Sequence, residues 1–451
     1  MTTDPSPDSQ GSEDFSDRVV VFFVAQILTA GLALFNGFFL ARLIGPSGKG
    51  DYYLLTFLPT TLMVVCQLGL PQAFTFFSAR RLGQGLVTKA IVLTALVAIP
   101  VFVTTLALLP VLQSMILEGL PTVAIVIPLV ALPLLLNANF TTGIVVGRQA
   151  AVGMAMVYIS VYLSATGLIL LLVGVLGLGV PGALAAFLMT AALTAAGFLI
   201  LAIRVIRNVP AAGSVSYRAL LRYGLPFYPG SLSQFFAARA DIYMLALLLA
   251  EPSAPLGYYS MAVAMAELVY LFPNAVSTFF FPRVAAASRE ESDRQVAMVS
   301  RVTLLLTGAV ALALVPVSAI AIKLLLPAFE PSLLALYVLL PGVVAIAVSQ
   351  VLTGYVAGLG RPGLASLVSI FAFGANVAFN LALIPRFGII GASAASLLSY
   401  VLSSIVYSMI AARLTGQKAR EFWVLRRGDV RFAVDAAVSL IRRLARMDRA
   451  A

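Results

Sequence analysis

From Arg18 onward the chain is a series of uncharged stretches, each long enough to cross a bilayer. Residues 19–41 number 23 without a charge, 52–79 and 90–117 number 28 each, and 119–147 number 29. About 20 apolar residues suffice for one membrane helix. The 55 uncharged residues between Arg148 and Arg204 are too many for one span, and the turn-like GVLGLGVPG at 174–182 divides them. Six further stretches, roughly 224–249, 257–282, 302–322, 332–358, 363–385 and 389–412, bring the expected number to twelve. With 61% hydrophobic and 10% charged residues, the chain lacks the polar cover a water-soluble fold needs. A soluble enzyme, a disordered chain and a disulfide scaffold are excluded. The expectation is an all-α polytopic membrane protein.

The placement of Lys and Arg sets the orientation. With a cytosolic N-terminus and alternating spans, 24 of the 29 basic residues fall on the cytosolic side. Only Arg42, Lys49, Lys323 and Arg386 fall outside, and Arg239 lies within a span. That bias is the positive-inside pattern, with both termini cytosolic in the cytoplasmic (inner) membrane. It also accounts for the net charge of +11 without a nucleic-acid partner.

Two absences narrow the chemistry. There is no histidine, hence no imidazole base or histidine-ligated metal, and Cys66 is the lone cysteine, hence no intrachain disulfide. No nucleotide-binding motif is present. GPSGKG at 45–50 has Leu43 where a phosphate-binding loop needs Gly, and Gly50 where it needs Ser or Thr. Asn139-Phe140-Thr141 matches a glycosylation acceptor but lies inside a hydrophobic span. The reading is of a non-enzyme without a cofactor.

The chain repeats itself. LARLIGPSGKGDYY at 40–53 matches LALLLAEPSAPLGYY at 245–259, TGIVVGR at 142–148 matches TGYVAGLGR at 353–361, and GVPGALAAFL at 179–188 matches GIIGASAASL at 388–397. The offsets of 205–213 are collinear, so the repeat holds six helices. An even number makes both copies enter the membrane from one side, as in parallel-repeat transporters. The expected domains are a disordered tail (1–17), an N-lobe (18–208), a C-lobe (209–414) and a basic amphipathic cytosolic helix (415–451). That last helix carries Val430, Val434, Ala437, Ile441 and Leu444 on one face. It either lies on anionic lipids or stands in solvent.

ARLIGPSGKGDYYLL at 41–55, LLRYGLPFYPGSLSQFFAARADIYMLALLL at 220–249 and LGYYSMAVAMAEL at 256–268 resemble bacterial oligosaccharide flippases. These form the polysaccharide-transporter branch of the multidrug/oligosaccharidyl-lipid/polysaccharide (MOP) exporter superfamily. The resemblance covers nearly the whole hydrophobic chain. It implies twelve transmembrane helices in two six-helix lobes around a central cavity. It further implies flipping of an undecaprenyl-pyrophosphate-linked oligosaccharide by alternating access, coupled to H+ or Na+, in a monomeric transport unit.

Three ionisable residues lie deep in spans: Arg239, Asp241 and Glu267. Charges at that depth mark either a functional site or a structural pair. Arg239 and Glu267 are each 14 residues from Ser253, at the turn between their helices, so they fall at similar depth and are expected to pair. Arg239 and Asp241, two apart on one helix, face away from each other. At the repeat offset Asp241 corresponds to Asn36 and Glu267 to Thr61. The expectation is that Asp241 couples an ion. Pro226 and Pro229 interrupt the start of that helix and form a candidate hinge. Arg80, Arg148, Arg218, Arg222 and Arg361 are candidates for an anionic headgroup, although such arginines also serve topology alone. Tyr223, Phe227, Tyr228, Phe235, Phe236 and Tyr243 offer rings that either stack on sugars or pack between helices. A multidrug or metabolite cation antiporter of the same superfamily is the alternative, and a non-transporting scaffold is a third reading.

Overall fold

The computed structural model describes residues 7–430, apart from 83, 116, 118, 208–212, 287, 360 and 427, with side chains from 28 onward except those of 238, 278, 279, 281–283, 285, 286 and 362. The helices are α1 (Pro7–Cys66), α2 (Leu70–Ala79), α3 (Leu86–Ala107), α4 (Leu109–Met115), α5 (Thr122–Leu129), α6 (Ala131–Gly147) and α7 (Ala151–Ile169). There follow α8 (Gly179–Arg207), α9 (Tyr217–Gly224), α10 (Tyr228–Leu248), α11 (Ser253–Ala286), α12 (Arg289–Leu325), α13 (Pro331–Gly358) and α14 (Pro362–Thr415). No strand occurs among the described residues. Lipid offers no partner to backbone groups, and the helix satisfies them within the segment. Many hydroxyls follow the same rule: Thr56, Thr94, Thr303 and Ser408 donate to the carbonyl four residues earlier.

Nine stretches among the described residues are long and apolar enough to cross a membrane. Two of them bend sharply, α1 at Gly45 (φ 69°) and α14 at Gly388 (φ 56°), conformations that glycine adopts at little steric cost. The most exposed side chains include Leu96 (64%) and Leu312 (74%), the inverse of a water-soluble surface. This is a multi-pass membrane protein.

Three sequence expectations change. α1 already begins at Pro7, so residues 7–17 carry helix where a disordered tail was expected. The stretch 52–79 is broken: α1 ends at Cys66, Leu68 and Gly69 take positive φ, and α2 restarts at Leu70. The segment after Gly416 is packed against helices rather than forming one surface helix. Ser300 donates to the Phe422 carbonyl, Trp423 Nε1 to Ser408 Oγ, and Phe422 is fully buried. Residues 431–451 of the expected amphipathic helix lie outside the described residues.

The chain divides into two compact units, 1–232 with 251–257, and 233–250 with 258–451. The core of the first gathers Leu70, Phe74, Leu86, Leu136, Phe140 and Phe198. That of the second gathers Val348, Leu352, Tyr355, Tyr407 and Phe422.

Candidate functional site

Asp241 lies midway along α10 and is 4% exposed, inside the second unit. Its Oδ1 accepts the Ile242 N–H at 3.0 Å, and its Oδ2 accepts the hydroxyls of Tyr259 on α11 and Ser396 on α14, the latter at 3.4 Å. No ion-pair partner of Asp241 occurs among the described residues.

A buried polar run continues from Ser396 along α14. Ser399 Oγ donates to the Ser396 carbonyl at 3.1 Å, and Asn376 Nδ2 donates to Ser399 Oγ at 3.1 Å. Asn380 Nδ2 then donates to Asn376 Oδ1 at 2.8 Å. These residues flank the bend at Gly388, which brings side chains of the two halves of α14 together. Asn380 Oδ1 and Ser393 Oγ are buried with no protein partner among the described residues. One carboxylate amid neutral oxygens carries a single charge. It suits a proton or a monovalent hard cation rather than a divalent metal, and no cluster of three metal-ligating Cys, Asp or Glu occurs among the described residues.

The matching position in the first unit is neutral and satisfied. Asn36, 8% exposed, donates to the Tyr162 carbonyl at 3.1 Å and accepts from Thr166 Oγ1 at 2.6 Å.

Arg239 and Glu267 are joined by a direct ion pair, Nη2 to Oε1. Their side chains are 30% and 49% exposed, so the pair is not the buried one the sequence suggests. Where the exposed side faces a water-filled cavity, such a pair contributes about 0–1 kcal/mol rather than the several of a buried one. We therefore expect Arg239→Gln and Glu267→Gln each to shift the thermal midpoint by only a few degrees. The charge exchange Arg239→Glu with Glu267→Arg should restore the parental value in a melting assay.

Pro226 sits in a single 3-10 turn, Leu225–Phe227, between α9 and α10, and Pro229 occupies the first turn of α10, where its missing N–H is tolerated. Of the headgroup candidates, Arg80 and Arg148 cap the C-terminal ends of α2 and α6 in the first unit, while Arg218 and Arg222 are exposed on α9. Arg361 stands before α14 in the second unit. The aromatic set is largely engaged by protein: Tyr223 stacks on Phe76 at 4.1 Å, Phe236 meets Phe373, and Tyr228 donates to the Val65 carbonyl.

Counting charges alone misses Tyr259, Asn376, Asn380, Ser393, Ser396 and Ser399. The signal available was Asn376 and Asn380 at i,i+4 within one apolar span.

Residues 16–288 match the family described as polysaccharide biosynthesis protein. The chain belongs to this family. Among curated proteins it is similar to the probable low-salt glycan biosynthesis flippase Agl15 of Haloferax volcanii, 24% identical over 210 residues. That alignment takes in 42% of this chain and 41% of the relative, so the chain spans about two fifths of that protein's length. The lipid II flippase MurJ in an inward closed conformation superposes with a TM-score of 0.72 at 14% identity, over 89% of each chain. An inward-facing multidrug resistance MATE family transporter of the MOP superfamily gives 0.69 at 16% identity, over 88% of this chain and 99% of that one. The fold of this family member is therefore the MOP transporter fold.

Proposed function

We propose that the chain is a flippase. It moves a lipid-linked oligosaccharide, carried on undecaprenyl pyrophosphate, from the cytosolic to the outer leaflet for cell-surface polysaccharide synthesis. Membership of the polysaccharide biosynthesis family carries the substrate class, and a glycan biosynthesis flippase among the relatives supports it. The likeness to MurJ and to a MATE transporter supports alternating access about a central cavity. In this reading there are twelve spans in two parallel-repeat lobes. The bent helices α1 and α14 supply two spans each, and the 21 residues of α10 supply another. Both termini are cytosolic in the inner membrane, and the transport unit is a monomer.

Coupling to H+ or Na+ runs through Asp241, supported by its burial and by the hydroxyls of Tyr259 and Ser396 on its carboxylate, at the head of the polar run along α14. Pro226 and Pro229 form the hinge. A cation antiporter has nearly the same fold support, since the MATE and MurJ superpositions are close in score. Reconstitution separates the two. Proteoliposomes with a fluorescent undecaprenyl-pyrophosphate oligosaccharide should lose outer-leaflet label in a protein-dependent way, and a cationic dye should not be transported. Dye transport without lipid movement would favour the antiporter.

A further inference from the structure

α2 and α6 cross at unusually short range. A Cβ on Gly143 would lie 2.6 Å from the Pro71 carbonyl oxygen, and one on Gly147 would lie 2.4 Å from that of Thr75. Ser78 Oγ donates to the Ile144 carbonyl at 2.8 Å across the same crossing. The two helices therefore end side by side, α2 at Arg80-Arg81 and α6 at Arg148-Gln149. Both Arg81 (φ 61°) and Gln149 (φ 54°) adopt the left-handed conformation that disfavours a Cβ. This backbone is held by its packing.

Arg148 is half-buried, and its Nε and Nη2 are buried with no acceptor among the described residues. Arginine at a helix end can donate to the free carbonyls there, and Arg148 makes no such bond among the described residues. Burial and the neighbouring charge of Arg81 both lower the proton affinity of Arg148, without approaching neutrality at physiological pH. Arg80, by contrast, lies 4.2 Å over the ring of Phe76, which stacks on Tyr223. Leaving guanidinium N–H groups buried without acceptors, next to a second guanidinium, is costly in the free protein.

We propose that Arg81 and Arg148 form a binding site for a phosphate or pyrophosphate anion. The planar guanidinium fork of Arg148 matches two phosphate oxygens, and the second positive charge of Arg81 nearby suits a dianion better than a single carboxylate. The same chemistry is offered by the pyrophosphate of a carried lipid and by the phosphodiester of a bilayer phospholipid. Assignment to the carried lipid rests on the flippase reading; the site itself does not.

The test uses the purified full chain. Thermal unfolding is followed in neutral detergent with and without inorganic pyrophosphate, and in nanodiscs of neutral lipid with and without phosphatidylglycerol. Arg148→Gln and Arg81→Gln are compared with Arg204→Gln, an exposed arginine on α8. Pyrophosphate should raise the midpoint of the parent and of Arg204→Gln. Apparent affinity should fall at least about tenfold in Arg148→Gln, as expected for losing charge-assisted hydrogen bonds. Without ligand, Arg148→Gln should unfold no earlier than the parent, because it removes guanidinium N–H groups buried without acceptors among the described residues. Protection by pyrophosphate assigns a headgroup of that kind, and protection by phosphatidylglycerol alone assigns the phosphodiester. Three results would overturn the proposal: no protection by either, equal loss in Arg204→Gln, or a lower ligand-free midpoint in Arg148→Gln. Flux measured in parallel keeps the readings apart. Binding without flux defeats the flippase reading alone, and flux without binding defeats the site alone.

Discussion

Truncation after Gly416 is expected to unfold the second unit. The decisive contact is Arg301 with Asp429, whose side chains are only 5% and 4% exposed. Arg301 Nε and Nη2 donate to the two Asp429 oxygens at 2.6 and 3.0 Å, and Nη1 donates to the Glu421 carbonyl at 2.8 Å. Removing one member of a buried pair strands the other and costs about 3–5 kcal/mol. Loss of the buried Phe422 ring would add about as much again. Asp429→Ala tests the ion pair alone, with Trp423, the single tryptophan, as a fluorescent reporter of the docked segment. Wild-type melting after truncation at Gly416 would defeat the prediction.

The same contact sets a pH dependence. The Arg301 guanidinium, followed by the Arg426 N–H, holds the Asp429 carboxyl below the usual carboxylate range. A depressed folded-state value means the stabilisation is complete above the unfolded value of about 3.9 and fades as pH falls through the folded one. Trp423 emission should thus stay constant near neutrality and change only below about pH 4. Of the other charges at this segment, Glu421 and Arg426 pair with each other at 2.9 Å and are more exposed.

Asp241→Asn is expected to fold normally yet lose all dependence on an ion gradient. The amide keeps an oxygen for the Ile242 N–H, and its NH2 can donate to the oxygens of Tyr259 and Ser396. The shape survives while the charge does not. A potential of about 100 mV supplies about 2.3 kcal/mol per charge moved, close to a 50-fold accumulation ratio. Flux assays with and without an imposed H+ or Na+ gradient read this directly. The parent should respond to one of them, and Asp241→Asn should match its gradient-free rate under both. A full gradient response in Asp241→Asn would remove this carboxylate from coupling. Asn36→Ala, at the satisfied position of the first unit, should reduce stability and leave the gradient response in place.

What the sequence reveals here follows from which forces are local. Uncharged runs of spanning length report the solvent each segment meets, so the helical membrane class is legible. The Arg239–Glu267 pairing was legible too, because a tight turn sets equal depth on adjacent helices. The exposure of that pair was not, since it depends on neighbours distant in sequence. Asn376 and Asn380 do not stand out in the sequence because neutral amides leave the hydropathy pattern almost unchanged. Asp429 looked like part of a solvated tail, and nothing near it in sequence announces Arg301, 128 residues away. Arg148 was singled out, but its proximity to Arg81 required the glycine crossing of α2 and α6.

The bend at Gly45 has a further consequence. A Cβ on Gly50 would fall 1.6 Å from the Ser253 carbonyl oxygen, and one on Gly257 would fall 2.0 Å from that of Pro46. Pro46-Ser47 and Pro252-Ser253 are corresponding positions of the repeat, so the two contacts are near mirror images of one another in sequence. Residues 251–257, second-copy sequence, are built into the first unit. A chain divided before Tyr217 would leave the first fragment without that segment, and its folding should then require the second fragment in the same cell.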